Sequence, residues 1–301
     1  MRNLRTRSLV IQLTRDFFHQ NGYLEVETPI MGPAVIPEAH IEPVPAGFGS
    51  PSHFLQASPE LYMKRLLARG LPKIFQICKC FRGNERGNRH LPELTLLEWY
   101  GTHETYEDLM NQCQGLMRHI AAGLGLGTRL TFRDTAIDLS RDFERLTVAR
   151  AFRQYGSQTM EQALASGRFD EIVSFEIEPC LGLDRPCFLK DYPAPMASLA
   201  RSKPDNPDLA QRFELYAAGI ELANGFTELT DPQTQRERFE KENKIRTGLG
   251  MAPLPLPEKF LSDLASMPDA AGIALGLDRL VMFFCNADSI DEVVAFTPEA
   301  Q

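Results

Sequence analysis

The sequence predicts an α+β fold, a mainly antiparallel sheet flanked by helices. Three observations carry this. Two strand-like runs, Lys73–Phe81 and Leu94–Gly101, are joined by nine polar-rich residues, Gly83–Leu91, as a long hairpin loop. Further strands between Phe188 and Glu228 are broken by prolines and by Gly219. Helical apolar spacing marks Leu4–Gln20, and Glu104–Leu124 reads as another helix.

In chain order, Leu9, Leu13 and Phe17 form the apolar stripe of the first helix, which Asn21-Gly22 ends. Tyr23–Glu27 alternates as a strand and stops at Pro29. Residues 32–52 hold five prolines and three glycines and read as loop. His53–Gln56 is a short strand, and Pro59 suits the first turn of a helix to about Arg69. The hairpin and the helix Glu104–Leu124 follow. Residues 128–180 read only as mixed helix and loop. Beyond Glu228, Pro232–Arg246 and 257–266 are helices. Ile273–Gly276 is a strand, and Leu277 opens a helix. No repeat, low-complexity tract or linker divides residues 1–301, so a single domain is expected.

Composition narrows the function classes. The chain has 301 residues, 43% hydrophobic and 24% charged, which suits a soluble enzyme able to bury a proper core. A net charge of −8 speaks against a nucleic-acid binder, which shows a basic balance or stripe. The arginines at positions 2, 5 and 7 read as a solvated helix face. Arg82, Arg86 and Arg89 read instead as a ligand clamp. No apolar run of 18 residues predicts a membrane helix. The six cysteines form no C-x-x-C pair, and Cys78 and Cys80 read as core thiols on one strand face. A cytoplasmic location is expected.

The chemistry concentrates in two segments. Phe81–Tyr100 reads FRGNERGNRHLPELTLLEWY, and Gly272–Leu280 reads GIALGLDRL. Arginines beside glycines, with carboxylates and a histidine, suit a polyphosphate, a metal and a cationic substrate held together. Neither segment is a P-loop or a dinucleotide fingerprint. Alternation puts Leu94, Leu96, Glu98 and Tyr100 on one strand face, and Asn224, Phe226 and Glu228 share a parity. Glu214 and Glu221 are seven residues apart, so an unbroken strand would face them apart, and Gly219 is expected to supply a bend. Gly276 leads into a helix start, where backbone N–H groups favour anions.

These segments, with Gly22–Pro29 (GYLEVETP), resemble the three ordered motifs of a class II aminoacyl-tRNA synthetase catalytic domain, nearest to lysyl-tRNA synthetase. SPELYMKRLL and GIELANGFTELTD add to the resemblance, which covers nearly the whole chain. The chain begins about 22 residues before the first motif, so no N-terminal anticodon-binding OB-fold is expected. That form is similar to the elongation factor P lysine ligase family, which activates (R)-β-lysine with ATP and transfers it to a lysine of elongation factor P.

The resemblance implies roles. Arg82 bridges the substrate carboxylate and the α-phosphate, with a fork suited to two oxygens, and Arg279 lies over the adenine and near the terminal phosphates. Glu60, 22 residues before Arg82, and Glu228 hold a lysine-like ammonium, since two buried carboxylates repel without a cation between them. Glu98 takes the substrate amino group and Tyr100 donates near its tail. Ser58, Pro59, Asn224 and Ala274 complete the amino-acid side. Gly83, Asn84, Glu85, His90, Leu91, Leu94, Glu221, Leu222 and Gly276 complete the ATP side, with Arg89 beside them; the lesser alternative for His90 is a satisfied loop histidine. Glu214 and Glu221 hold Mg²⁺. Asp278 orients Arg279 or caps its helix. Pro29 lies at a homodimer interface.

Two departures stand out. Asn84 replaces the usual glutamate after the motif-two arginine, so either Asn84 or Glu85 takes that role. Leu94 replaces the aromatic that stacks on adenine. Ala274, where lysyl-tRNA synthetases have glycine, matches the ligase family and supports β-lysine, although one methyl is worth only about 1–3 kcal/mol. The alternatives are a truncated tRNA-charging lysyl enzyme and a non-catalytic lysine-binding regulator.

Overall fold

In the computed structural model, which describes residues 1–47, 53–197 and 199–300, helix α1 (Arg2–Gln20) ends where Gly22 takes a φ of +77°. Strand β1 is only Leu24–Glu25, shorter than the alternation Tyr23–Glu27 suggests. Val26 still donates to the Phe75 carbonyl (2.9 Å), and the chain then leaves the sheet before Pro29. Within the stretch read as loop, Val44–Ala46 pairs with His53–Leu55, which also pairs with Met31–Gly32. Residues 48–52 lie outside the described residues. Helix α2 (Glu60–Ala68) has Pro59 as its N-cap.

Strands β2 (Lys73–Phe81) and β3 (Glu93–Thr102) form the expected antiparallel hairpin, in register from Lys73↔Gly101 to Phe81↔Glu93. Helix α3 (Tyr106–Gly123) starts at a capping box of Thr105 and Asp108. Next come β4 (Glu144–Thr147) and helices α4 (Val148–Tyr155), α5 (Met160–Ser166) and α6 (Phe169–Ile172). Strands β5 (Cys187–Pro193), β6 (Leu209–Ala217) and β7 (Ile220–Thr227) follow, then α7 (Pro232–Gly248), α8 (Glu258–Leu264), β8 (Ala270–Gly276) and α9 (Leu277–Cys285).

One eight-stranded sheet runs in the order β1-β2-β3-β8-β7-β6-β5-β4. Its inner pairings are antiparallel, and β1 and β4 add parallel edges. Period-two alternation then separates two faces. Leu97, Trp99, Ile273, Leu275, Phe213 and Leu215 join the core built with α1, α3 and α9. Glu98, Tyr100, Ala274, Asn224, Arg212 and Glu214 belong to the opposite parity. Over one end of that second face, α2, α7 and α8 pack around Tyr100 and Phe226. Residues 146–181, unreadable from sequence, form a separate apolar cluster around β5 and Tyr216.

Candidate active site

A cavity of about 290 Å³ opens on the second sheet face, between α2, the β2–β3 hairpin loop and the start of α9. Ser58, Glu60, Arg82, Glu85, His90, Leu91, Leu94, Tyr100, Glu214, Glu221, Leu222, Asn224, Ala274, Gly276 and Arg279 all line it. Glu98 and Glu228 are fully buried beside it. Pro59, Gly83 and Asn84 stand off its wall. Pro59 serves as a helix cap, and Gly83 packs against the Glu42 carbonyl, which its N–H reaches at 2.7 Å.

One end of the cavity is acidic. Ser58 Oγ donates to Glu98 Oε1 (2.7 Å), and the Tyr100 hydroxyl donates to Glu98 Oε2 (2.8 Å). Burial pushes the Glu98 carboxyl up to about 8, with Glu60 adding to the rise. Burial likewise pushes Glu228 up to about 8, with Lys64 opposing. The cation between Glu60 and Glu228 is the chain's own Lys64. Its Nζ ion-pairs with Glu60 and lies 2.5 Å from Glu228 Oε2. The charge argument calls for a cation between those two carboxylates, and the chain itself supplies one. Glu228 Oε1 has no hydrogen-bond partner. Ala274 sits in register between Glu98 on β3 and Asn224 on β7 and lines the cavity between them. Gly272, opposite Tyr100 in the ladder, is required to be glycine. A Cβ there would fall 2.1 Å from Tyr100 Cε1 and 2.4 Å from Glu228 Oε1.

The other end is built for anions. Arg82 closes β2, its N–H bonded to the Pro92 carbonyl (2.9 Å), while its buried Nε has no partner. Arg82 lines the cavity, and a guanidinium with unmatched donors there fits an anionic ligand. Of the two candidates Asn84 and Glu85, the one that lines the cavity is Glu85. Asn84 takes a φ of +62° and is exposed, which turns Glu85 back toward the cavity, 3.8 Å from Arg82 Nη1. Arg279 donates from Nη1 to the Glu221 carbonyl (2.9 Å) and carboxylate (3.1 Å), and from Nε to the Arg89 carbonyl. Its Nη2 meets His90 Nε2 at 2.6 Å. A guanidinium only donates, so His90 Nε2 accepts. Burial and Arg279 together lower the His90 pKa, which keeps that ring neutral.

Glu214 and Glu221 do share the cavity. The device is a β-bulge at Leu222, seen in the register shift from Leu215↔Ala223 to Tyr216↔Glu221. The extra residue reverses the parity of Glu221, while Ala218 and Gly219, both at positive φ, make the hairpin turn beyond it. Glu214 accepts from Tyr192 (2.5 Å), Tyr216 (2.6 Å) and Arg212 (2.7 Å). Burial raises the Glu214 pKa, Arg212 opposes the rise and Glu221 adds to it. Among the described residues no group of three or more His, Cys, Asp or Glu side chains forms a metal cage. Two carboxylates short of full coordination still fit Mg²⁺, which keeps waters and phosphate oxygens in its shell.

Three expectations are corrected. Asp278 does not orient Arg279. Its Oδ1 ion-pairs with Arg7 (2.6 Å), and its Oδ2 accepts the Thr95 N–H (2.7 Å). Arg7, read as part of a solvated face, is thus a half-buried tie between α1, β3 and α9. Arg86 is no ligand clamp, because it turns outward to Glu299 (2.8 Å) and Asp291 (2.9 Å). Sequence reading also missed Lys64, buried behind the wall, and two residues of the wall itself, Arg212 and Glu38. Lys64 stands four positions after Glu60, a spacing that most often marks an exposed helix pair. Arg212 shares the parity of Glu214, which was a usable signal. Glu38, pushed up to about 7 by burial against the pull of Arg82, comes from a segment without periodicity.

The chain matches, over residues 1–300, the family model described as tRNA synthetases class II (D, K and N). It is 38% identical over 307 residues to the elongation factor P–(R)-β-lysine ligase of Enterobacter sp. (strain 638), covering 98% of this chain and 94% of that one. The ligases of the same name from Salmonella dublin and Salmonella heidelberg (strain SL476) show the same identity and coverage.

Proposed function

The chain belongs to the class II (D, K and N) tRNA synthetase family, in its elongation factor P–(R)-β-lysine ligase branch, and from that premise we propose that it activates (R)-β-lysine, or lysine, with ATP and transfers it to a lysine side chain of an elongation factor P. One observation carries the reading: a single cavity joins the acidic end at Glu60, Glu98 and Glu228 to the anion-binding end at Arg82 and Arg279.

In the first step the substrate carboxylate attacks the α-phosphorus, and the bond to pyrophosphate breaks. Arg82 holds one oxygen of each reactant with its fork, so the step becomes one of positioning and charge neutralisation. Arg279, tied to Glu221 and neutral His90, covers the nucleotide and its terminal phosphates, while Leu91 and Leu94 line the adenine side. Glu214 and Glu221 would hold Mg²⁺, which supplies charge neutralisation to the phosphates when bound. Glu98, Tyr100 and Glu228 fix the ammonium groups and thereby aim the carboxylate. In the second step a neutral lysine amine of the acceptor attacks the acyl carbonyl, AMP leaves, and an amide forms with loss of a proton.

The reading includes a homodimer through the first motif. Beside Pro29, the exposed apolar side chains Leu24, Ile30 and Met31 support it.

Pyrophosphate exchange with ATP, Mg²⁺ and either α-lysine or (R)-β-lysine tests the first step. Labelled amino acid offered separately to elongation factor P and to lysine tRNA tests the second. Label on elongation factor P is expected, and label on tRNA alone refutes the acceptor assignment. No exchange with either amino acid favours a regulatory lysine-binding protein.

A further inference from the structure

Lys64 has no role in the chemistry above, yet it is 1% exposed and its Nζ ion-pairs with both Glu60 and Glu228. Its ammonium also stands 5.1 Å from the centroid of the Phe226 ring. A lysine is costly to bury, and replacing an ion pair by apolar groups is often neutral or better for stability. Stability alone therefore does not account for a lysine here. Charge does. Glu60, Glu98 and Glu228 bring three carboxylates to this end of the cavity; once a cationic substrate displaces the protons on Glu98 and Glu228, Lys64 offsets one of three charges and leaves two. A diamino monocarboxylic acid brings two ammonium groups to this end and its single carboxylate to Arg82.

We propose that Lys64 is a positioning residue that neutralises one of the three carboxylates, holds Glu60 and Glu228 in place by bridging them, and so matches the pocket to a substrate with two ammonium groups. The inference rests on the proposed activation of a lysine-type substrate. The charged and titratable groups facing Glu228 are Lys64 and Glu60 from α2, and Glu98 and Tyr100 from β3. Arg201 also contacts this residue, its Nε donating to the Glu228 main-chain carbonyl (3.0 Å). Among them Lys64 is the main influence opposing the burial that raises the Glu228 carboxyl. Without Lys64 the carboxyl keeps its proton to higher pH and cannot pair with an ammonium.

Lys64→Met keeps an unbranched apolar stem of similar length and deletes the charge. Calorimetric titration of the full chain with lysine and with (R)-β-lysine reads the pocket without catalysis. In Lys64→Met, affinity for both amino acids falls at least about tenfold at pH 7.5, and the pH at which binding strengthens moves upward. ATP affinity stays within about twofold, because the nucleotide end does not touch Lys64. The double variant Lys64→Met/Glu60→Gln removes one charge of each sign. It binds lysine more tightly than Lys64→Met alone, and its binding midpoint returns toward that of the parent. If Lys64→Met fails to fold, Lys64→Gln, which deletes the charge and keeps a donor for Glu60 and Glu228, carries the same test, with the same upward shift of the pH midpoint expected. Unchanged affinity and an unmoved pH dependence in Lys64→Met overturn the inference, as does a double variant whose midpoint shifts upward. A purely structural Lys64 lowers the melting temperature and leaves the midpoint where it was. Loss of pyrophosphate exchange in the parent, with the Lys64→Met effect on binding intact, overturns the proposed activity and leaves the role of Lys64 standing.

Discussion

Glu228 pairs one oxygen with Lys64 and leaves the other without a partner beside the cavity. Glu228→Gln keeps the shape and removes the charge, so it raises the KM for the amino acid by about 100-fold. The KM for ATP stays within about threefold, and an equal loss of both in pyrophosphate exchange contradicts the pocket assignment. Gly272→Ala places a methyl against Tyr100 and Glu228 at 2.1 and 2.4 Å. Both neighbours are rigid, so the variant loses amino-acid binding and about 1–3 kcal/mol of stability in urea titrations. Glu98 and Glu228 are each pushed up to about 8. A protonated carboxyl cannot pair with an ammonium, so the KM for the amino acid falls as pH rises from about 6.5 to about 8.5. A flat profile argues against that pairing. At this scale the alternation of β3 was legible, because Glu98 and Tyr100 interrupt a leucine face. Lys64 was not, because an i,i+4 pair looks the same in sequence whether solvent or a pocket surrounds it.

Elements aim these side chains. The β2–β3 hairpin was readable to its ends, since its strands and polar loop differ in composition. The β6–β7 hairpin was half readable. Gly219 announced a turn, but the residue that brings Glu221 to the face of Glu214 is the bulge at Leu222. Bulges carry no composition signal in an apolar strand, so only the pairing register reveals it. Asp278 fixes the start of α9 relative to α1 and β3, through Arg7 and the Thr95 N–H. Asp278→Asn leaves the half-buried Arg7 charge without its carboxylate and costs about 2–4 kcal/mol in chemical unfolding. Because Arg279 is the next residue, its kcat also falls. An unchanged unfolding midpoint would show that the tie contributes nothing.

The whole molecule stores several carboxylates at unfavourable acidities. Glu98 and Glu228 sit at about 8 and Glu38 and Glu178 at about 7, against an ordinary 4.5. In each case burial is the leading cause. The folded chain therefore binds protons that the unfolded chain has already released. The stability this supplies is complete below about pH 4.5 and is lost as pH rises through 7 and 8. Ligand-free protein is expected to melt at a lower temperature at pH 8.5 than at pH 6, by calorimetry. Lysine with an ATP analogue narrows the gap, because a bound ammonium replaces the proton on Glu98 and Glu228. A melting temperature that rises over that range refutes this.

Strand alternation, helix periodicity and three motif segments were enough to determine the α+β class, the main hairpin and most of the residues around the cavity. Those signals are local, since each depends on neighbours within a few positions. The sequence determined that Glu60 and Glu228 share a chemistry, but not that Lys64 stands between them. It placed Arg7 and Arg86 in charged clusters, but not that one is tied inward to Asp278 and the other outward to Glu299. Those choices depend on which groups lose water together, and only the packed sheet and its covering helices decide that.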